Sequence, residues 1–276
     1  MKAAFDPFMS WIREAYYAYY ADKYSVQEFV ENCGVYSLQR GVFSSYIETG
    51  ICVRKIEVML NEYEYEEERI LESVYSSLKF ISQDKPLVLV ISKIHLAPLC
   101  VLKFLNLILG RTDSIRFIFT YGESFLVKEP CTSQWELLIQ KAEEEKMFLI
   151  TEKSDIVYNQ DFPDKFSYDE NEIEEYIMTL NNMVHLFALE DAKYYLDNIL
   201  KHCSRIDSNV NNSDKFKLLE MLVMVCFGLG EYKDALLVCE KLAQIANNES
   251  DVYQEYIYNY FSAKAHLFMR DPKLTH

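Results

Sequence analysis

Residues 85–110 read KPLVLVISKIHLAPLCVLKFLNLILG. Leu87 to Ile91 is an unbroken apolar run, short and rich in Val and Ile. That pattern predicts a buried strand better than a helix. Leu99 to Leu109 has helical character and ends at Gly110, a residue suited to the backbone that closes helices. Further on, IRFIFT at 115–120 predicts a second buried strand, and MFLIT at 147–151 a third. Strand, helix, strand at this spacing is a βαβ unit with parallel strands and a right-handed connection. Apolar continuity on both faces puts Leu87–Ile91 at the centre of its sheet. Val90→Asp is then expected to be among the most damaging single changes, because it buries an unpaired charge.

Upstream, residues 8–21 predict an amphipathic helix rich in aromatics, and Ser25 with Glu28 three positions later forms a capping box. A helix is expected from about residue 65 to 82. It contains most of the acidic run EYEYEEER at 62–69, which reads as a solvated helix face or, failing that, a recognition patch. Downstream the character changes. SYDENEIEEYI opens with a second capping box, Ser167 and Glu170, and no strand pattern follows it. A boundary near 160–168 divides the chain into an α/β part, 1–163, and an all-α part, 164–276.

The chain has 276 residues, half of them hydrophobic, with only 7 Gly and 6 Pro. Scarce turn residues favour helices over an all-β fold. The net charge is −15 with no basic cluster, which argues against direct nucleic-acid binding or contact with an anionic membrane. Seven scattered cysteines form no C-x-x-C pair; Cys100, Cys226 and Cys239 lie in apolar helices and read as small hydrophobes. A reducing cytoplasm is the expected compartment. The first residues lack a signal-peptide core, and no apolar run approaches the roughly 20 residues of a membrane span.

LLEMLVMVCFGLGEYKDALLVCEKLAQIANN, residues 218–248, resembles a tetratricopeptide repeat, a helix-turn-helix unit. Gly230 opens the turn, Tyr232 fills the gap between helices and Ala235 allows close approach. Leu219, Leu222, Val223 and Cys226 share the inward face. Leu242 and Asn247 depart from the usual small residue and proline. Upstream, Leu189–Ala192 mirror Tyr232–Ala235 at an offset of 43 residues, the excess falling in an Asn-rich loop. Residues 253–268 would start a third unit, so the array reads as truncated at its C-terminal end or as completed by another chain. Lys217, Glu220, Met224 and Phe227 recur at steps of three and four. With Tyr253, Tyr256 and Tyr260 they are expected to line a groove, with Phe227 as anchor. The resemblance implies a protein or peptide partner there, or a second copy of the chain.

The earlier part, roughly residues 5–160, resembles the signal-transduction ATPases with numerous domains, an AAA-like family. AFDPFMSWIRE is similar to the segment after that family's phosphate loop, and its second strand ends in Thr-Tyr-Arg where this chain has Thr120, Tyr121 and Gly122. The resemblance implies a partial P-loop-like parallel sheet with flanking helices. Its acids are altered: Ser92 and Lys93 stand where carboxylates hold magnesium. No G-x-x-x-x-G-K occurs, and no Gly-Lys dipeptide at all. Ser92, Lys93, His95 and Thr120 are therefore the positions of a degenerate nucleotide site. The reading is a non-catalytic sensory or scaffold module of a larger bacterial-type signalling protein, with no cofactor and no metal site. A nucleotide-binding switch without hydrolysis is the alternative. An enzyme built on His95 or Glu64–Glu68 is a third reading, with no nucleophile placed beside His95 by sequence. His185, His202 and His266 lack the spacing of metal ligands.

Overall fold

The structure is a computed structural model. It describes residues 7–53, 63–84, 86–92, 94, 97–111, 114–120, 131–144, 173–203, 210–249 and 251–270. The described part is mostly helical, with one small parallel sheet. The expected strand at 147–151, the capping box at Ser167 and Glu170, and the boundary near 160–168 all lie outside the described residues.

Helix α1 (Phe8–Ala15) runs on through a π-helical turn, Tyr16–Tyr20. Helix α2 (Val26–Asn32) begins at the expected capping box: Ser25 Oγ accepts from the Glu28 amide at 3.3 Å, and the Glu28 carboxylate accepts from the Ser25 amide at 2.8 Å. Helices α3 (Arg40–Thr49) and α4 (Tyr63–Asp84) pack with α1. The acidic run is not simply a solvated face. Glu66 and Glu67 are buried on α4, Glu66 bonded to Gln39 and Arg69 and Glu67 to Lys103, while Glu68 is exposed. Pairing is what makes the burial of these charges tolerable.

Strand β1 (Leu87–Ile91) pairs in parallel with β2 (Ile115–Phe119), Leu87 opposite Ile115 and Ile91 opposite Phe119. Helix α5 (Leu99–Ile108) connects them, and Gly110 takes a φ of 80° just beyond its end. The strands are not buried on both faces. Leu89, Ile91 and Ile115 face the core, but Val88, Val90 and Ile118 are 57%, 53% and 51% exposed. The position that cannot accept a charge is therefore Leu89, not Val90.

Helix α6 (Thr132–Glu144) packs on α5. Five long helices follow: α7 (Ile173–His185), α8 (Leu189–Cys203), α9 (Asn212–Gly228), α10 (Tyr232–Glu249) and α11 (Val252–Arg270). Each packs on the next, and two contacts also skip a helix: α7 touches α9, and α9 touches α11. This is a stack of hairpins, α7–α8 then α9–α10, with α11 laid on the second. From Leu218 onward helix α9 is apolar on most of its sides, as suits a helix packed against α8, α10 and α11. Leu219, Leu222, Val223 and Cys226 are buried as expected, and so are Phe216, Leu218, Met221 and Val225 on its other sides.

The two hairpins close with the same backbone. The Gly230 amide donates to the Phe227 carbonyl at 3.1 Å and the Glu231 amide to Cys226 at 2.8 Å; Phe187 and Ala188 donate likewise to Val184 and Met183 at 3.1 and 3.0 Å. Both are Schellman closures, which need a left-handed residue after the helix. Gly230 supplies it at φ 74° and Phe187 at φ 57°. Gly228 matters for a different reason: a Cβ there would lie 2.2 Å from a methyl carbon of Leu189, so its absence lets α8 approach the end of α9.

Candidate functional site

Three places in the fold carry the groups that the sequence singles out. The first is the end of the sheet. Ser92 is exposed just past β1. Thr120, just past β2, is exposed, with its amide donating to Ile91 at 3.1 Å and its carbonyl accepting from Ile94 at 2.9 Å. Lys93, His95, Tyr121 and Gly122 lie outside the described residues. The nearby start of α5 has no cap of its own: Pro98 precedes it without a side-chain bond. Asp191, on the first turn of α8, supplies the acceptor, its two carboxylate oxygens receiving the amides of Leu99 at 2.9 Å and Cys100 at 3.0 Å. A carboxylate suits a helix N-terminus, where free amides and the helix dipole favour negative charge. Burial nonetheless leaves the Asp191 carboxyl above the ordinary aspartate value, the two amides only partly offsetting it.

The second is the junction between the two parts of the chain. Lys103 of α5 bridges Glu67 of α4 at 2.9 Å and Glu190 of α8 at 3.2 Å. Burial works against its charge, but the two carboxylates outweigh it and hold Lys103 above the ordinary lysine value. On α7, Asn182 Oδ1 accepts from the Cys52 amide at 2.8 Å, and its Nδ2 donates to the Gly50 carbonyl at 3.0 Å. Asn181 donates to the Cys52 carbonyl, also at 3.0 Å. The turn after α3 thus lies on α7 with its main chain read by two asparagines.

The third is the face of α9 and α11. Phe227 is not its anchor. It is 5% exposed, packed against Tyr232, Phe261 and Phe268 with ring centroids 5.7, 5.7 and 6.2 Å away. The closing turn explains this: aligning the hairpins by their turns sets Phe227 beside Val184, which is also buried. The rest of the expected face is accessible. Lys217 is exposed and pairs with Asp214 at 3.2 Å. Glu220 and Met224 are half-buried on α9. On α11, Tyr253 and Tyr256 are 59% and 62% exposed, and Tyr260 stacks on Tyr256 at 6.1 Å. The Glu220 charge reaches Tyr253, helping burial to raise the phenol above its ordinary value. Glu220 itself makes no ion pair among the described residues, and burial raises its carboxyl above the usual glutamate value.

Burial also pushes the thiols of Cys33 and Cys226 up to about 12 and that of Cys239 up to about 11, so they are hydrophobic filler rather than nucleophiles. Among the described residues no cluster of His, Cys, Asp or Glu could hold a metal ion, and no helix is long and apolar enough to cross a membrane. Sequence reasoning missed Asp191, Asn181 and Asn182. The one local hint was the adjacent pair of asparagines inside helix α7, where their low helix propensity calls for a reason.

The fold defines a class: helical hairpins in a stack, packed with a small α/β unit through a shared apolar core and the polar side chains described above. Comparison with family models, curated proteins and solved structures returns no match.

Proposed function

We propose that this chain is a non-catalytic scaffold or sensory module. Its tetratricopeptide-like hairpins would bind a protein segment on the α9–α11 face, and its α/β part would be a degenerate relative of the signal-transduction ATPases, in the setting of a larger bacterial-type regulatory protein of the cytoplasm. The observation that carries the reading is the half-buried Glu220, which makes no ion pair among the described residues and whose charge reaches exposed Tyr253, with exposed Tyr256 on the same helix. A carboxylate taken partly out of water without a cation is costly, and a partner's lysine or arginine would relieve that cost. Tyrosine faces add favourable contact for the same cation, and half-buried Met224 of α9 offers an adaptable apolar contact. The net charge of −15 favours a basic partner over an acidic one.

A nucleotide-binding switch without hydrolysis has less to draw on. The first two amides of α5, which follow β1 where an open α/β sheet receives a phosphate, are taken by Asp191.

The test is selection of peptides from a random displayed library on the purified chain, followed by affinity measurement on variants. Selected peptides should carry Lys or Arg. They should bind Glu220→Gln and Tyr256→Ala at least about tenfold more weakly, about 1.4 kcal/mol. Peptides without a basic residue, or peptides indifferent to both substitutions, would overturn the assignment.

A further inference from the structure

The α9–α11 face has a second end, of opposite charge. On α11, Tyr253, Tyr260 and Lys264 recur at steps of seven and four, so they form one narrow stripe along the helix. Helices α9 and α11 run in the same direction: the Glu220 charge reaches Tyr253 near the start of α11, and Phe227 packs on Phe261 and Phe268 further along. The same register sets Lys264 past Phe227, level with the turn at Gly230, where a Cβ would meet only open space.

Lys264 is half-buried. Its ammonium lies over the rings of Tyr260 and Phe268, 5.6 and 5.8 Å from their centroids, and donates to the Tyr260 hydroxyl at 3.4 Å. Phe268 is held in turn, stacked on Tyr232 at 5.1 Å. The rings therefore fix where this cation sits and stabilise part of its charge. No carboxylate pairs with it among the described residues, and two of its three N–H donors remain for another group. Other half-buried lysines of this chain are answered: Lys103 by Glu67 and Glu190, and Lys193 by Glu231 and Asp234. Those two stand above the ordinary lysine value, whereas burial alone acts on Lys264 and holds it below.

We infer that the segment bound on this face carries an acidic side chain for Lys264 as well as a basic one for Glu220. The inference rests on the groove reading above and narrows its partner. Two anchors of opposite sign, neither compensated among the described residues, make the groove a dipole, and its occupant matches that dipole. Lys264 lies roughly 16 Å along α11 from Tyr253, a span that an extended chain covers in about five residues. The segment thus places its base and its acid about five positions apart, with the acid at the Lys264 end. Helix α11 continues past Lys264 to exposed Leu267, so the acid is a side chain within the segment and not the segment's own terminus. The net charge of −15 draws basic partners in general; Lys264 selects among them by rewarding the acid.

The experiment measures the affinity of end-capped synthetic peptides for the full chain. Each peptide holds one lysine and one glutamate, in either order, in a Ser- and Leu-based background, at separations from about two to about eight positions. Affinity should peak near a separation of about five. In the best peptide, replacing the glutamate by glutamine should weaken binding about fivefold or more on the unaltered chain and change little on Lys264→Gln, the coupling expected of a direct pair. The peptide change needs no altered protein, so it decides the matter even if Lys264→Gln is poorly folded. Affinity independent of separation, no loss with the glutamine peptide, or the same loss on both forms of the chain would overturn the inference. So would recovery of the glutamine peptide on freeing its C-terminal carboxylate, which would assign Lys264 to a chain end. The groove reading fails separately, if peptides with lysine alone bind Glu220→Gln as tightly as the unaltered chain. If they bind it more weakly while Lys264→Gln changes no peptide's affinity, the groove stands and the acidic anchor falls.

Discussion

The hairpins α7–α8 and α9–α10 close with the same turn 43 residues apart, yet they keep different company. The first is a joint. Its Asn181 and Asn182 hold the main chain of Gly50 and Cys52, and its Asp191 caps α5. The corresponding positions in the second hairpin are Met224, Val225 and Asp234. Asp234 is exposed there and its one ion pair among the described residues is with Lys193, at 3.8 Å, while Met224 is half-buried. One backbone unit thus does two jobs according to whether its surface positions are polar and matched to the rest of the chain or left facing outward. The turns differ in the same sense. Gly230 is exposed and takes a left-handed φ without steric cost. Phe187 pays roughly 1–2 kcal/mol for the same conformation, which the full burial of its ring, about 1.5–3 kcal/mol, can offset.

Several substitutions would break or sharpen this contrast. The largest effect is expected at Phe227, where truncation to Ala should cost about 3–5 kcal/mol in denaturant unfolding, because the ring sits among α9, α10 and α11. A cost below about 1 kcal/mol would return Phe227 to the groove. Next comes the joint. Asn182→Ala removes the acceptor that the Cys52 amide uses, and Asp191→Ala removes the acceptor that two α5 amides use, so each should cost about 1–3 kcal/mol. Asp234→Ala, the matching change in the second hairpin, should stay within about 0.5 kcal/mol. Comparable losses at Asp191 and Asp234 would erase the distinction between joint and free hairpin. Gly230→Ala should cost about 1 kcal/mol, through backbone conformation alone, since nothing crowds a Cβ there.

The smallest effect is a matter of pH. Glu220 is raised above its ordinary 4.5 by burial in the folded state, so the fold holds this proton more tightly than the unfolded chain does. Its contribution to stability is therefore greatest below 4.5 and is lost as the pH rises through the folded value. Glu220→Gln should lessen that loss, measured as the melting-temperature difference from the unaltered protein across the window just above pH 4.5. An unchanged difference across that window would mean that Glu220 is not desolvated. A bound cationic peptide should reverse the sign, its affinity rising with pH as Glu220 ionises.

How much of this was legible beforehand depended on whether the signal was local. The β1–α5–β2 unit, the Ser25 cap and the hairpin turn at Gly230 all follow from residues within a few positions of one another. Which side of β1 is buried did not, because an unbroken run such as Leu87–Ile91 has no polar alternation to mark the solvent side. The face of α9 was misassigned at Phe227 for a related reason: a helix apolar on most of its sides has no stripe to read, whereas alignment on the two closing turns pairs Phe227 with buried Val184. The caps and clamps at Asp191, Asn181 and Asn182 join residues about ninety or more positions apart, and such partners leave no mark in spacing.

Hydrogen exchange with a selected basic peptide tests the division of labour most directly. The account predicts added protection in α9 and α11, in the segments that carry Glu220, Met224, Tyr253 and Tyr256, with no change at Gly50–Val53 or along α7. Protection concentrated at Gly50–Val53 and α7 instead, with α9 and α11 unaltered, would contradict it.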